Sequence, residues 1–271
     1  MTELLERLSG LKARGRKMLV PYLMGGVPDR ESFGPALVAV ARHADAVEIG
    51  LPYSDPLMDG PIIAAAGQRA IRGGTGPLDA LELVAGIQVE APRLAMTYYN
   101  PVHRAGEAEF CRRVARAGFS GVIVPDIPLE ESLSLRRCAG HEGLAWVPLV
   151  APTSSPARVQ AIADTATGFV YAVSTLGVTG TREQLSERAA AVVAACRDAT
   201  DLPVLVGIGV STPEQARAAA EHSDGVVIGS AVVRTVLESG AEAVEDWLAE
   251  VRRALDAVGA APAAEADRDG P

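Results

Sequence analysis

The chain has 271 residues, 48% apolar, 22% charged and 4% aromatic, with a net charge of −9 and an isoelectric point near 5.0. This excludes a disordered chain and leaves room for one large domain or two small ones. The acidic balance argues against nucleic acid, which needs a basic footprint, but not against a small phosphorylated ligand held by backbone N–H groups.

The chain opens on an amphipathic helix pattern, MTELLERLSGLKARGRK, with no apolar segment of the secretory kind. No later run approaches the roughly 18–20 apolar residues that span a bilayer. The expectation is a cytoplasmic protein without a membrane partner. Cys111, Cys138 and Cys196 are scattered, odd in number and outside any CxxC pattern, so they read as core filler rather than a disulfide or zinc framework.

Eight short apolar runs follow: Met18–Leu23, Ala46–Gly50, Leu94–Tyr98, Gly121–Pro125, Ala145–Val150, Phe169–Ser174, Val204–Ile208 and Val226–Gly229. Between them, apolar positions recur at helical spacing over Arg30–His43, Leu78–Val89, Glu107–Ala117, Glu130–His141, Ser155–Asp164, Gln184–Asp198 and Pro213–His222, and Ala231–Leu255 follows the last run. Strands this apolar, alternating with helices, indicate a parallel sheet covered on its faces. Eight such units predict a single (β/α)8 TIM barrel with an extra N-terminal helix, over residues 1–256. A doubly wound open sheet is the competitor, but Gly25-Gly26-Val27-Pro28 after the first run does not match GxGxxG. Strand starts are furthest apart between 46 and 94 and between 169 and 204. The loops after strands 2 and 6 are therefore extended, on the barrel face where active sites lie. Residues 257–271, rich in Ala, Pro and acid, read as a disordered tail.

Candidate chemistry begins with Glu48, a carboxylate inside the run AVEIG. It is either a solvated strand-end charge or an inward group whose burial raises its pKa, making it able to take and give a proton. Asp59 lies in Gly50–Pro61, whose prolines, glycines and aspartates forbid helix and strand. It could lean over Glu48, or cap the helix starting at Pro61. Asp55, in Ser54-Asp55-Pro56, reads as a turn. Gly209 after strand 7 and Gly229-Ser230 after strand 8 each run into a helix, the usual phosphate site of a barrel; Gly180 on the sixth loop could add a donor, although glycines also serve turns alone. With no lysine there, binding would rest on backbone dipoles and Ser230. Tyr171 projects from the sixth strand, or fills the core. No histidine has a partner at metal-ligand spacing and no GxSxG is present, so neither a metal nor a serine nucleophile is expected.

Five segments carry a resemblance: VEIGLPYSDPLMDGP (Val47–Pro61), PDIPLEES (Pro125–Ser132), STLGVTG (Ser174–Gly180), VGIGVSTPEQ (Val206–Gln215) and IGSAVV (Ile228–Val233). In this order and spacing the chain resembles the tryptophan synthase α subunit family from Val20 to about Val236. The resemblance implies a cofactor-free retro-aldol cleavage of indole-3-glycerol phosphate to indole and glyceraldehyde 3-phosphate. By similarity, Glu48 is the acid/base, Asp59 accepts a hydrogen bond from the ring N–H, and Tyr171 orients the substrate. Thr179 closes over Asp59 as part of a lid, and Gly180, Gly209, Gly229 and Ser230 hold the phosphate. Tyr22, Ile63, Met96, Tyr98, Ile123 and Ile208 match indole-contacting positions. Tyr22 and Ile208 stand where phenylalanines are familiar, and Thr175 where an arginine is. The family works as an αββα heterotetramer whose β subunit carries pyridoxal phosphate and receives indole through a tunnel; Pro52 and Asp55 match positions at that contact. Two other readings stay open: an aldose-ketose isomerase, which leaves the Asp59 loop unexplained, and a decayed barrel that only activates a partner.

Overall fold

The computed structural model describes residues 2–173, 182–207 and 209–259. Its strands are β1 (Met18–Met24), β2 (Val47–Gly50), β3 (Arg93–Met96), β4 (Gly121–Ile123), β5 (Ala145–Trp146), β6 (Leu149–Val150), β7 (Val170–Val173), β8 (Val204–Gly207) and β9 (Gly225–Ile228). All pair in parallel, in the order β5-β4-β3-β2-β1-β9-β8-β7-β6. β5 and β6 are two pieces of the single predicted run 145–150. Pro148, which has no N–H to give, interrupts it, yet Val147 N donates to Val122 O (3.1 Å) and Tyr171 N to Pro148 O (3.0 Å). That run thus joins both ends of the sheet and closes an eight-stranded barrel. Register agrees: pairing leads from Tyr22 to Ala145 on one side and from Leu149 to Met18 on the other. Four residues are lost on β1 and four along 145–149, the stagger of an eight-stranded TIM barrel.

Side-chain alternation then sorts the strands. Leu19, Leu23, Val47, Ile49, Ala95, Val122, Val204 and Val206 face the surrounding helices, while Met18, Val20, Leu94, Ile123, Phe169, Leu205 and Val227 fill the barrel. The N-terminal helix α1 (Glu3–Ala13), capped by Thr2, buries Leu4, Leu8 and Leu11 in that inner cluster and plugs the end of the barrel away from the loops after the strands. Beside it, Asp45 accepts from Arg16 Nε (3.0 Å), Leu19 N (2.9 Å) and Arg252 Nη1 (2.9 Å), tying the C-terminal helix to the barrel base.

The helical layer comprises α2 (Phe33–Ala41), α3 (Pro61–Arg72), α4 (Pro77–Ala85), α5 (Tyr99–Ala105), α6 (Glu107–Arg116), α7 (Leu133–His141), α8 (Pro156–Ala163), α9 (Arg182–Ala199), α10 (Pro213–His222) and α11 (Ser230–Gly259). α10 matches its predicted bounds, α2, α6, α7 and α8 lie within theirs, α4 begins and ends earlier than predicted, and α9 and α11 run past both predicted ends. α5 has no counterpart in the periodicity, because seven residues with a proline at its third position carry little pattern. α11 is broken at Gly240, whose φ of 83° is left-handed. Its helix continues through Gly259; the rest of the tail read as disordered lies outside the described residues, as do Thr175, Thr179, Gly180 and Ile208. Cys111 and Cys196 are buried in the outer core and Cys138 packs against it. Among the described residues, no helix is long and apolar enough to cross a membrane.

Candidate active site

Strand parity decides the first acid. With Val47 and Ile49 turned to the helices, Glu48 and Gly50 point into the barrel, and Glu48 is 4% exposed. No described side chain hydrogen-bonds its carboxylate. Burial, and secondarily the charge of Asp59, raises its pKa from 4.5 to about 8. At neutral pH it therefore holds a proton it can give away.

The segment after β2 is pinned back across the barrel mouth. Leu51 N donates to Met96 O (2.8 Å), and the Tyr53 ring packs on Tyr98 with centroids 5.4 Å apart. Asn100 Nδ2 donates to the Tyr53 hydroxyl (2.9 Å). Asp59 does not cap α3: Gly60 occupies the N-cap without a side-chain bond and Pro61 opens the helix. Its carboxylate instead accepts from the Tyr98 hydroxyl at 2.8 Å, and the Tyr98 phenol oxygen in turn accepts from Met58 N at 3.0 Å. Burial pushes the Asp59 carboxyl up while the Tyr98 hydrogen bond pulls it down. In this loop Pro52 is buried, whereas Asp55, hydrogen-bonded by the Ser54 hydroxyl, is exposed beside Leu57 and Met58.

Of the predicted pocket residues, the described ones, Tyr22, Ile63, Met96, Tyr98 and Ile123, lie near these acids. Tyr22 pairs with Glu48 in register, is 3% exposed, and clusters with Met24, Ile63 and Met96. Ile123, Met96 and Tyr171 belong to the inner barrel cluster. Burial and the Glu48 charge hold the Tyr171 phenol well above its ordinary pKa. It lies over Gly207, where a Cβ would meet the ring at 2.8 Å. The paired loops after β8 and β9 complete the rim. Gly209 turns at φ 62°, Thr212 caps α10 by accepting from Gln215 N (3.3 Å), and Gly229 leads into Ser230, the first residue of α11. The α10 N-terminus is closed by its own side chains, since Gln215 Oε1 also accepts from Ser211 N (2.8 Å), so the start of α11 beside Gly229 is the helix end suited to an anion. Among the described residues no group of three or more His, Cys, Asp or Glu could hold a metal.

A family model described as tryptophan synthase alpha chain matches residues 8–259. The chain belongs to the tryptophan synthase alpha chain family. Relatives of that name from Synechococcus elongatus and Gloeobacter violaceus are 43% and 44% identical, covering 94% and 91% of this chain and 98% and 91% of their own. Among solved structures, Mycobacterium tuberculosis tryptophan synthase superposes with a TM-score of 0.87 at 38% identity, covering 94% of this chain and 98% of that one. The α subunit from Legionella pneumophila gives 0.87 at 31%, covering 95% and 99%. The family's enzyme is a lyase that cleaves indole-3-glycerol phosphate and hands indole to a β subunit. Its α chain carries no cofactor; pyridoxal phosphate sits in the β subunit of the heterotetramer.

Sequence reasoning placed Tyr98 only in the indole slot and missed its hold on Asp59, along with Tyr53 and Asn100 in the clasp. The signal for Tyr98 was parity: it follows inward Leu94 and Met96 at the same spacing of two, just past the strand's end.

Proposed function

We propose that this chain performs the family's cleavage with Glu48 and Asp59 as its working pair. Substrate enters with its indole ring between Tyr22, Ile63, Met96, Tyr98, Ile123 and Ile208, and its phosphate on the N–H groups of Gly180, Gly209, Gly229 and Ser230. Protonated Glu48 gives its proton to the ring carbon bearing the side chain. The positive charge spreads to the ring nitrogen, whose N–H donates to the Asp59 carboxylate; that fixed anion lowers the energy of the charged intermediate. Glu48, now a carboxylate, takes the proton of the hydroxyl on the carbon attached to the ring. The carbon–carbon electrons return to the ring, indole leaves, and the former hydroxyl carbon becomes the aldehyde of glyceraldehyde 3-phosphate. Tyr171 orients the substrate beside Glu48, and Thr179 closes over Asp59.

The observation that carries this reading is the pairing of a buried acid held near pKa 8 with a second carboxylate clamped over the same mouth. The exposed stretch Asp55–Met58, with Pro52 beneath it, is the contact we assign to the β subunit. We place the enzyme in the cytoplasm, with residues 1–256 as one catalytic unit. The test is to incubate the full chain with indole-3-glycerol phosphate and measure indole. Slow release alone and strong acceleration by a β subunit are expected, and Glu48→Gln should abolish both. Substrate loss without indole contradicts the reading and points to isomerisation.

A further inference from the structure

Tyr22 is a phenol buried to 3% exposure, and such a hydroxyl ordinarily finds an oxygen or nitrogen partner. Here, among the described residues, its one hydrogen-bonding contact is the thioether of Met24, 3.8 Å away, a weak acceptor. The fold holds the group in place nonetheless. A Cβ on Gly50 would lie 1.9 Å from the Tyr22 oxygen, so the ring leans from its register partner Glu48 across bare backbone two residues further along β2. On its other side, a Cβ on Gly229 would lie 3.7 Å from Tyr22 Cβ. The side chain thus bridges the strand of the acid and the loop assigned to the phosphate. Burial and the charges of Asp59 and Glu48 keep the phenol protonated, a permanent donor.

In the proposed reaction the glycerol chain is the part of the substrate that joins ring to phosphate, and therefore acid to phosphate loop. We infer that Tyr22 is a specificity-determining residue whose hydroxyl donates a hydrogen bond to a hydroxyl oxygen of that glycerol chain. The contact compensates the phenol's missing partner and turns the substrate hydroxyl's own proton toward Glu48. A phenylalanine at this position fills the same slot without the donor. The inference rests on the reading of Glu48 and the phosphate loop given above.

Tyr22→Phe removes one oxygen and tests it. In the full-length Glu48→Gln protein, which should not turn substrate over, the affinities of two probes are measured with and without Tyr22→Phe. One is indole-3-glycerol phosphate; the other is 3-(indol-3-yl)propyl phosphate, which lacks both hydroxyls. A lost hydrogen bond to a buried donor predicts about tenfold weaker binding of the glycerol probe and a change within about twofold for the propyl probe. With Glu48 intact, Tyr22→Phe should lower kcat/KM for cleavage by about the same tenfold. Equal losses on both probes would make Tyr22 a packing residue, and no loss on either would also overturn the inference. If the Glu48→Gln protein with Tyr22 binds neither probe, the functional reading itself fails.

Discussion

Glu48→Gln should make the protein more stable while removing its activity, and the gain should depend on pH. In the folded chain the Glu48 carboxyl titrates at about 8, against 4.5 ordinarily. Between those values the folded state keeps a proton that the unfolded state has released, so stability falls as pH rises across the interval. The full difference corresponds to about 5 kcal/mol, of which about 3 kcal/mol is expressed by pH 7. Glutamine keeps the shape and carries no proton to lose. The variant should therefore melt with the parent near pH 4.5 and above it at pH 8, by roughly 5–10 °C for a chain this long. Thermal melts of both proteins from pH 4.5 to 8.5 measure the gap directly, since every other titrating group is common to the pair. A gap that stays constant with pH, or a variant that melts lower at pH 8, would refute the claim that the cavity holds an uncompensated acid. Turnover of the variant should fall by at least about 10²–10⁴-fold, the usual contribution of a positioned acid/base.

Asp59→Asn should cost about 10²–10³-fold in kcat, with KM changed little, because the lost anion acts on charge that develops only during reaction; an equal loss in affinity would contradict that role. Tyr98→Phe removes the donor that holds the Asp59 carboxyl down, so the acid limb of the kcat/KM–pH profile should move to higher pH, and an unmoved limb would mean the clamp does not set that charge. Gly207→Ala should displace the Tyr171 ring, costing about 1–3 kcal/mol in denaturant melts together with lower kcat/KM. Asp45→Ala leaves Arg252, itself 7% exposed, without its buried counter-charge; it should cost about 3–5 kcal/mol yet leave kcat unchanged well below the melting temperature.

The barrel was legible because its strands are buried on both sides and so read as bare apolar runs such as LVPYL and VLVGI. Even the fifth run was found whole, although Pro148 splits its ladder into two short pieces. Glu48 was legible for the converse reason: a carboxylate inside such a run has nowhere to go but the interior or the strand's end. Its choice between them follows from the parity of Val47 and Ile49 against the helices. Asp59 was ambiguous from sequence, since Asp-Gly-Pro is equally good cap chemistry. Only the long-range bond from Tyr98, 39 residues away, separates the two roles, and no local pattern encodes it. The same limit hid the Tyr53–Asn100 clasp, a contact between a loop and the first turn of α5, and α5 itself, too short for periodicity to register.

A crystal structure of the Glu48→Gln protein with uncleaved indole-3-glycerol phosphate puts the whole assignment to one test. The ring nitrogen should lie about 3 Å from an Asp59 carboxylate oxygen, the ring carbon bearing the side chain should face residue 48, and the phosphate should rest on the N–H groups around Gly209, Gly229 and Ser230. A ligand whose phosphate sits elsewhere, or whose ring nitrogen turns away from Asp59, would contradict it.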